Sequence, residues 1–363
     1  MHSAMTEQHA LLRDTIDALF ADLMAGDTPT SDDALRACWR SVEALGIPRL
    51  FLREDDGGFD GDWRAAYIVF HALGRHALPL PLGETILAQH WLRAAGAPPA
   101  DGMIALGCSA DAQLQRHASG ALFSGSAAAV AWGAQADWLL VNGDDDCCVL
   151  LPRAAAGAIA PATNLAGEPR ALLRFAAAPA AALLSCTGAA RQLFAAGALL
   201  RCTQMAGALQ TALRLSVDYA NERTQFGRAI GKFQAIQQQL AVLAAEVAAA
   251  DCAAQSACHA VDRAGIDDAE FEIGAAKWRA NRAAAQAQAI AHQVHGAIGF
   301  TREHRLHQFT LRLLAWRGEF GSDHHWAGHL GRSVSRGTGG SLWSQLTARG
   351  ESAPSDHRQE HRA

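Results

Sequence analysis

Apolar residues recur at helical spacing near the start of the chain. Leu11, Leu12, Ile16, Leu19 and Phe20 predict one helix, and Leu35, Trp39, Val42 and Leu45 predict a second. Ser31-Asp32-Asp33 caps the second helix and Gly46-Ile47-Pro48 stops it. A turn-rich stretch, Leu50 to Gly61, leads into a further helix from Trp63 to about Leu73, ending at Gly74-Arg75. Between about 103 and 180 the pattern changes to short apolar runs separated by Gly, Asp and Asn. These runs are Met103 to Leu106, Ala121 to Gly125, Trp138 to Val141 and Cys148 to Leu151, and they predict a small antiparallel sheet domain. From about 188 to 330 the helical period returns in alanine-rich sequence. Leu209 and Leu213 mark one helix, Ile236, Leu240, Leu243 and Val247 the next, and Ile290 and Val294 a third. Antiparallel helices with such seams form a four-helix bundle.

The fold class is therefore α+β, mostly α. The expected domains are an N-terminal helical domain over 1–102, a small middle β-barrel domain over 103–187 and a C-terminal four-helix bundle over 188–330. The 331–363 extension is expected to be partly disordered, loosely ordered except near Leu342-Trp343.

Composition narrows the function classes. With 363 residues, 50% of them hydrophobic, the chain has ample material for a core. A formal net charge of -5 gives no general attraction to nucleic acid or anionic membrane, so an anionic ligand must be gripped by local arginines. No uninterrupted apolar run is expected to span a bilayer, the first residues lack a signal-peptide pattern, and a cytoplasmic location is expected. The 8 cysteines are scattered and read as reduced structural thiols. His304, His307, His324, His325 and His329 are irregularly spaced, and no metal is expected.

The most specific feature is Arg223-Thr224-Gln225-Phe226-Gly227, continued through Arg228, Gly231, Phe233 and Gln234 to Gln237. Arginine presents a planar, permanently charged fork to a diphosphate, glycine lets backbone approach a ligand closely, and Phe233 with the glutamines suits an adenine. In this context the segment resembles the C-terminal domain of the acyl-CoA dehydrogenase family of flavoproteins. The earlier order of Gly46-Ile47-Pro48, Gly57-Gly58 and a helix ending in Leu73-Gly74-Arg75 resembles the N-terminal domain of that family, and Ala136 to Val141 resembles its middle domain. Gln293-Val294-His295-Gly296-Ala297-Ile298-Gly299-Phe300 is similar to the family's Gln-x-x-Gly-Gly-x-Gly segment, with Ala297 in place of the second glycine.

The resemblance implies FAD as cofactor, an acyl-CoA substrate and an electron-transferring flavoprotein as electron acceptor. It implies a homo-oligomer, or a heterotetramer with a paralogous subunit. It assigns cofactor contacts to Arg223, Gln225, Phe226, Phe233, Gln234, Gln293, Gly296, Ala297, Gly321 and Ser322, and the alpha-proton base to Glu319 in Arg317-Gly318-Glu319-Phe320-Gly321-Ser322. The alternative base position of the family, in the first bundle helix, falls at Ala196-Gly197-Ala198 and holds no carboxylate. One departure concerns the flavin ring. The family's Thr-Glu-Pro-x-x-Gly-Ser-Asp loop is replaced by Leu106-Gly107-Cys108-Ser109-Ala110-Asp111, and no Trp-Ile-Thr strand follows. Three readings stay open: an FAD-dependent acyl-CoA dehydrogenase, a non-catalytic half of a hetero-oligomer, and a flavin monooxygenase or oxidase on the same scaffold.

Overall fold

A computed structural model describes residues 2–26, 29, 31–118, 120–144, 146–336, 343 and 347. Most of the 331–363 extension for which partial disorder is expected, Leu342 included, lies outside them.

Four helices come first: α1 (His2–Leu23), α2 (Asp32–Ala44), α3 (Trp63–His76) and α4 (Leu82–Ala94). Ser31 caps α2 as expected, its Oγ accepting from Ala34 N at 3.2 Å. Ile16 and Phe20 of α1 are buried, but Leu11 is 69% exposed and lies off the packed stripe. Helix α3 runs past the expected stop at Gly74 and ends at Ala77, which takes a left-handed φ of 55. Gly74 serves contact instead. A Cβ there would lie 1.7 Å from the Gln204 carbonyl oxygen, and one at Gly207 would lie 2.0 Å from that of His71. These two glycines let the backbones of α3 and the following long helix, α5 (Ala189–Glu222), touch.

Between them lie eight strands: β1 (Ile104–Gly107), β2 (Gln113–His117), β3 (Gly120–Ala131), β4 (Trp138–Asp144), β5 (Cys147–Pro152), β6 (Ala158–Thr163), β7 (Pro169–Pro179) and β8 (Ala182–Ser185). They form two four-stranded sheets, ordered β1-β4-β5-β8 and β2-β3-β7-β6. The expected antiparallel sheet needs one correction: β1 and β4 pair in parallel. After β1 the chain builds the β2–β3 hairpin in the second sheet and returns through residues 132–137, and such a crossover is what a parallel pair requires. Phe123 and Phe175 meet edge to face at 5.9 Å within the second sheet's pairing of β3 with β7.

The C-terminal part comprises α5, then a two-residue hairpin of β9 (Thr224–Gln225) with β10 (Arg228–Ala229), α6 (Gln234–Asp268), α7 (Glu270–His295), α8 (Leu306–Trp316) and α9 (Asp323–Arg336). Helix α5 is buried along nearly its whole length because α3, α6, α7 and α8 surround it. Helix α9 carries order past Gly331, where the sequence pattern predicts a loose tail. Helix α6 is long and apolar enough, by length and composition alone, to cross a membrane, although Glu246 and Asp251 interrupt its apolar run. In the structure it packs against α5 and α7.

Candidate functional site

The arm predicted from sequence sits at one end of the bundle. Phe226 and Gly227, with φ of 51 and 78, form the two-residue turn between β9 and β10. Left-handed backbone at both turn positions suits a tight hairpin, and it is costly for an aromatic residue. Phe226 is nonetheless 90% exposed, and the packing it makes is an edge-on contact with Phe233 at 6.1 Å between ring centroids. Arg223, Gln225 and Gln234 are exposed as well, while Phe233 is half-buried under the Arg228 guanidinium, which lies 4.2 Å from its ring centroid. Tyr219, near the end of α5, stacks on His295 at the end of α7 with centroids 4.6 Å apart. That stack brings the turn Gly296–Phe300 to the same end of the bundle as the arm. Gln293, Gly296 and Ala297 are exposed there. Gly296 has a φ of 64, and a Cβ added to it or to Gly227 would meet open space.

Gly321 and Ser322 lie elsewhere, in the α8–α9 connection. Gly321 has a φ of 103 and packs on Trp326, where a Cβ would lie 2.3 Å from the indole nitrogen. The Ser322 hydroxyl accepts from His325 N at 3.4 Å at the start of α9.

Glu319 occupies the same connection, inside a cluster of charges. Its Oε2 accepts from Arg201 Nε at 2.7 Å. Its Oε1 accepts from Arg170 Nε at 3.2 Å, from Arg170 Nη2, and from Asn164 Nδ2 at 3.3 Å. Arg201, on α5, reaches Glu84 of α4 at 2.9 Å and Gln204 at 2.6 Å through its other two nitrogens. Beside them Glu168 accepts from Arg312 Nε at 3.0 Å, Trp316 Nε1 at 2.9 Å and Arg170 Nη2 at 3.3 Å. Three carboxylates thus face three guanidiniums, joining α4, β7, α5, α8 and the α8–α9 connection.

Burial alone would raise the pKa of Glu319, but Arg201 and Arg170 outweigh it and hold the carboxyl below its ordinary value. Glu168 follows the same pattern, with Arg312 and Arg170 outweighing its burial. Lys277 of α7 completes the framework. It is fully buried and donates to Asn281 Oδ1 at 2.7 Å and to the carbonyls of Trp316, Arg317 and Gly321 at 3.0, 3.2 and 3.1 Å. Burial pulls its pKa down to about 7, and its oxygen partners tie the Glu319 turn to the bundle.

The void beside this cluster is only about 10 Å³, lined by Trp132, Glu84, Arg201, Gln204 and Trp316 among others. Room for about one water remains there. Phe320, at a φ of 50, lays its ring over Gly197, where a Cβ would come within 2.3 Å of it. The loop after β1 is closed on itself too. Ser109 Oγ donates to Asp111 at 2.9 Å, Ser126 N donates to Asp111 at 2.8 Å, and Ser109 N donates to Asn142 Oδ1 at 2.8 Å. Larger cavities lie elsewhere. One of about 650 Å³ surrounds Tyr67 and Asp251, and one of about 780 Å³ lies by Trp91 and Cys186.

Sequence reasoning misses Glu84, Glu168, Arg170 and Arg201. The available signal is Arg201 itself, the one charge in the stretch from Ala195 to Leu209.

Depressed carboxylate pKa values fix a pH dependence. Glu168 and Glu319 stabilise the fold fully above the unfolded-state value of about 4.3, and that contribution is lost as pH falls through their lower folded values. Thermal unfolding should be insensitive to both groups from neutrality to about pH 5 and should fall steeply below about pH 4. Glu319→Gln should flatten the acid limb by roughly one proton, and an unchanged limb would show that Glu319 is not linked to folding.

Comparison with known proteins agrees with this architecture. The family described as acyl-CoA dehydrogenase, C-terminal domain, matches residues 187–334. The acyl-CoA dehydrogenase IpdE2 of Mycobacterium tuberculosis is 31% identical over 323 residues, covering 84% of this chain and 91% of that protein. The crystal structure of the ChsE4-ChsE5 complex from Mycobacterium tuberculosis superposes with a TM-score of 0.78 at 21% identity, covering 92% of this chain and 98% of that one. The Tcur3481-Tcur3483 steroid ACAD G363A variant gives 0.79 at 23% identity, covering 91% and 98%. The chain belongs to the acyl-CoA dehydrogenase family, FAD-dependent oxidoreductases that act on CH–CH bonds.

Proposed function

We propose that this chain is the arm-giving subunit of a hetero-oligomeric acyl-CoA dehydrogenase, whose reaction is α,β-dehydrogenation of an acyl-CoA thioester. It offers Arg223, Gln225, Phe226, Phe233, Gln234, Gln293, Gly296 and Ala297 to the diphosphate and adenine of an FAD whose ring is held by a paralogous subunit. The observation that carries this reading is the state of Glu319. A general base needs an accessible carboxylate and a pKa near the working pH, whereas both oxygens of Glu319 accept from buried arginines and its pKa is depressed.

The fit to FAD is divided in the same way. The arm suits a diphosphate: a guanidinium unpaired among the described residues, an exposed aromatic and two open glycine positions converge at one end of the bundle. The ring side does not fit, because only a small void remains by Trp132 and Arg201, Phe320 covers Gly197, and Asp111 uses its hydrogen bonds on Ser109 and Ser126. When bound, FAD supplies the hydride acceptor. One structural neighbour, ChsE4-ChsE5, is a complex of two different chains, which supports a paralogous partner. A second reading keeps Glu319 as base in a self-sufficient dehydrogenase passing electrons to an electron-transferring flavoprotein. It requires both guanidiniums to swing away on substrate binding.

Two measurements separate these readings. Expressed alone, the chain should hold well below one FAD per protomer, and co-expression with a paralogous dehydrogenase subunit should restore it. In that assembly, Glu319→Gln should leave flavin bleaching by an acyl-CoA within roughly twofold of wild type, since loss of a general base costs on the order of a hundredfold or more. A hundredfold loss with intact thermal stability would reinstate Glu319 as the base.

A further inference from the structure

We propose that Cys186 and Cys148 form a thiol pair that hydrogen peroxide closes to a disulfide, at the junction between the sheets and the bundle. The inference is independent of how flavin is held. Strand pairing sets Cys148 of β5 opposite Leu184 of β8, so Cys186, two residues further on, points to the same face of the sheet as Cys148. The segment is fixed there because Cys186 N donates to Asp146 O at 2.9 Å. The two thiols hydrogen-bond to each other, and the Trp91 side chain also bonds to Cys186.

Their accessibilities differ in the useful sense. Cys148 is fully buried, whereas Cys186 is 8% exposed and lines the cavity of about 780 Å³ between α4, the start of α5 and the end of α6. Hydrogen bonding from Cys148, with help from Trp91, outweighs burial and pulls the Cys186 thiol down to about 7. The Cys148 thiol is pushed up, chiefly by that same hydrogen bond and then by burial. Cys186 is therefore the attacking sulfur and Cys148 the resolving one.

The cavity also selects the oxidant. It is lined by Asp262, Asp267, Asp268 and His90; Arg191 pairs with Asp267 at 2.8 Å, and the other two carboxylates keep the wall acidic. Burial pushes His90 down to about 4, so it is neutral at physiological pH. Such a wall disfavours an anionic, bulky oxidant such as glutathione disulfide and admits an uncharged peroxide. The Cys186 thiolate attacks one peroxide oxygen, the O–O bond breaks, and the departing hydroxide takes a proton to leave as water. The Cys148 sulfur then attacks the resulting sulfenic acid, the S–O bond breaks, and the hydroxyl leaves as water with the Cys148 proton. Two thiols have lost two hydrogens and two electrons, and the peroxide has been reduced to two waters.

The test treats the full-length protein with hydrogen peroxide, blocks free thiols in denaturant and maps peptides without reduction. The expected result is a Cys148–Cys186 cross-link at a dose roughly tenfold below that which oxidises the exposed Cys252, because hydrogen bonding from Cys148 lowers the Cys186 thiol from its ordinary value and the resolving thiol is beside it. Cys148→Ser should strand Cys186 as a sulfenic acid that a dimedone probe labels, and Cys186→Ser should leave Cys148 reduced. Recovery of both cysteines as blocked thiols while Cys252 is already oxidised overturns the proposal. So does oxidation of Cys148 that persists in Cys186→Ser.

Discussion

Arg201→Met is expected to destabilise the protein by about 3–5 kcal/mol, the cost of breaking a buried ion pair from one side. Arg201 is almost fully buried and is the only cation that touches both Glu84 and Glu319 among the described residues. Burial alone would favour its neutral form, but Glu84, Glu319 and Glu168 hold the guanidinium more firmly charged than usual. Methionine keeps much of the volume and removes the charge, so Glu84 and Glu319 lose their shared cation in a space with room for about one water. The loss should appear as a lower denaturant midpoint with little change in slope. Adding Glu84→Gln and Glu319→Leu should recover part of it, because replacing a buried ionic group entirely costs less than leaving half of it behind. A loss below about 1 kcal/mol for Arg201→Met would match an exposed pair, and the closed cleft would then open readily in solution.

The same cluster explains which parts of the molecule are legible in the sequence. The arm is legible because its chemistry is contiguous: Arg223 to Gln234 present guanidinium, amide, aromatic and glycine within one turn. Helices with a strong apolar stripe and a local cap, such as α2 behind Ser31, are legible for the same reason. Strand β7 is not, since its Ala176-Ala177-Ala178 run carries no alternation of apolar with polar residues and gains its partners β3 and β6 only in three dimensions. Gly74 reads as a stop because a glycine that admits a neighbouring backbone and one that ends a helix look alike in sequence. Resemblance points to Glu319 but not to its environment. Its partners sit at positions 164, 170 and 201, and nothing local predicts that they converge.

Arg223→Ala in the assembled oligomer is expected to weaken FAD retention by roughly ten- to a hundredfold, the equivalent of about 1.5–3 kcal/mol for a hydrogen bond to a charged group. Arg223 is exposed, and its guanidinium makes no ion pair or hydrogen bond among the described residues. Its backbone alone is engaged, through Ile230 N donating to its carbonyl at 2.8 Å, which holds the arm's shape whatever the side chain. Thermal unfolding of the isolated chain should therefore move by less than about 0.5 kcal/mol, the range of ordinary surface substitutions. Arg223→Lys keeps the charge but not the planar fork, so it should fall between wild type and Arg223→Ala. Equilibrium dialysis of FAD against the three proteins, run beside thermal melts, separates a ligand contact from a folding defect. Equal FAD affinity for all three would remove Arg223 from the diphosphate site. A parallel fall in stability and affinity would instead assign Arg223 to the fold.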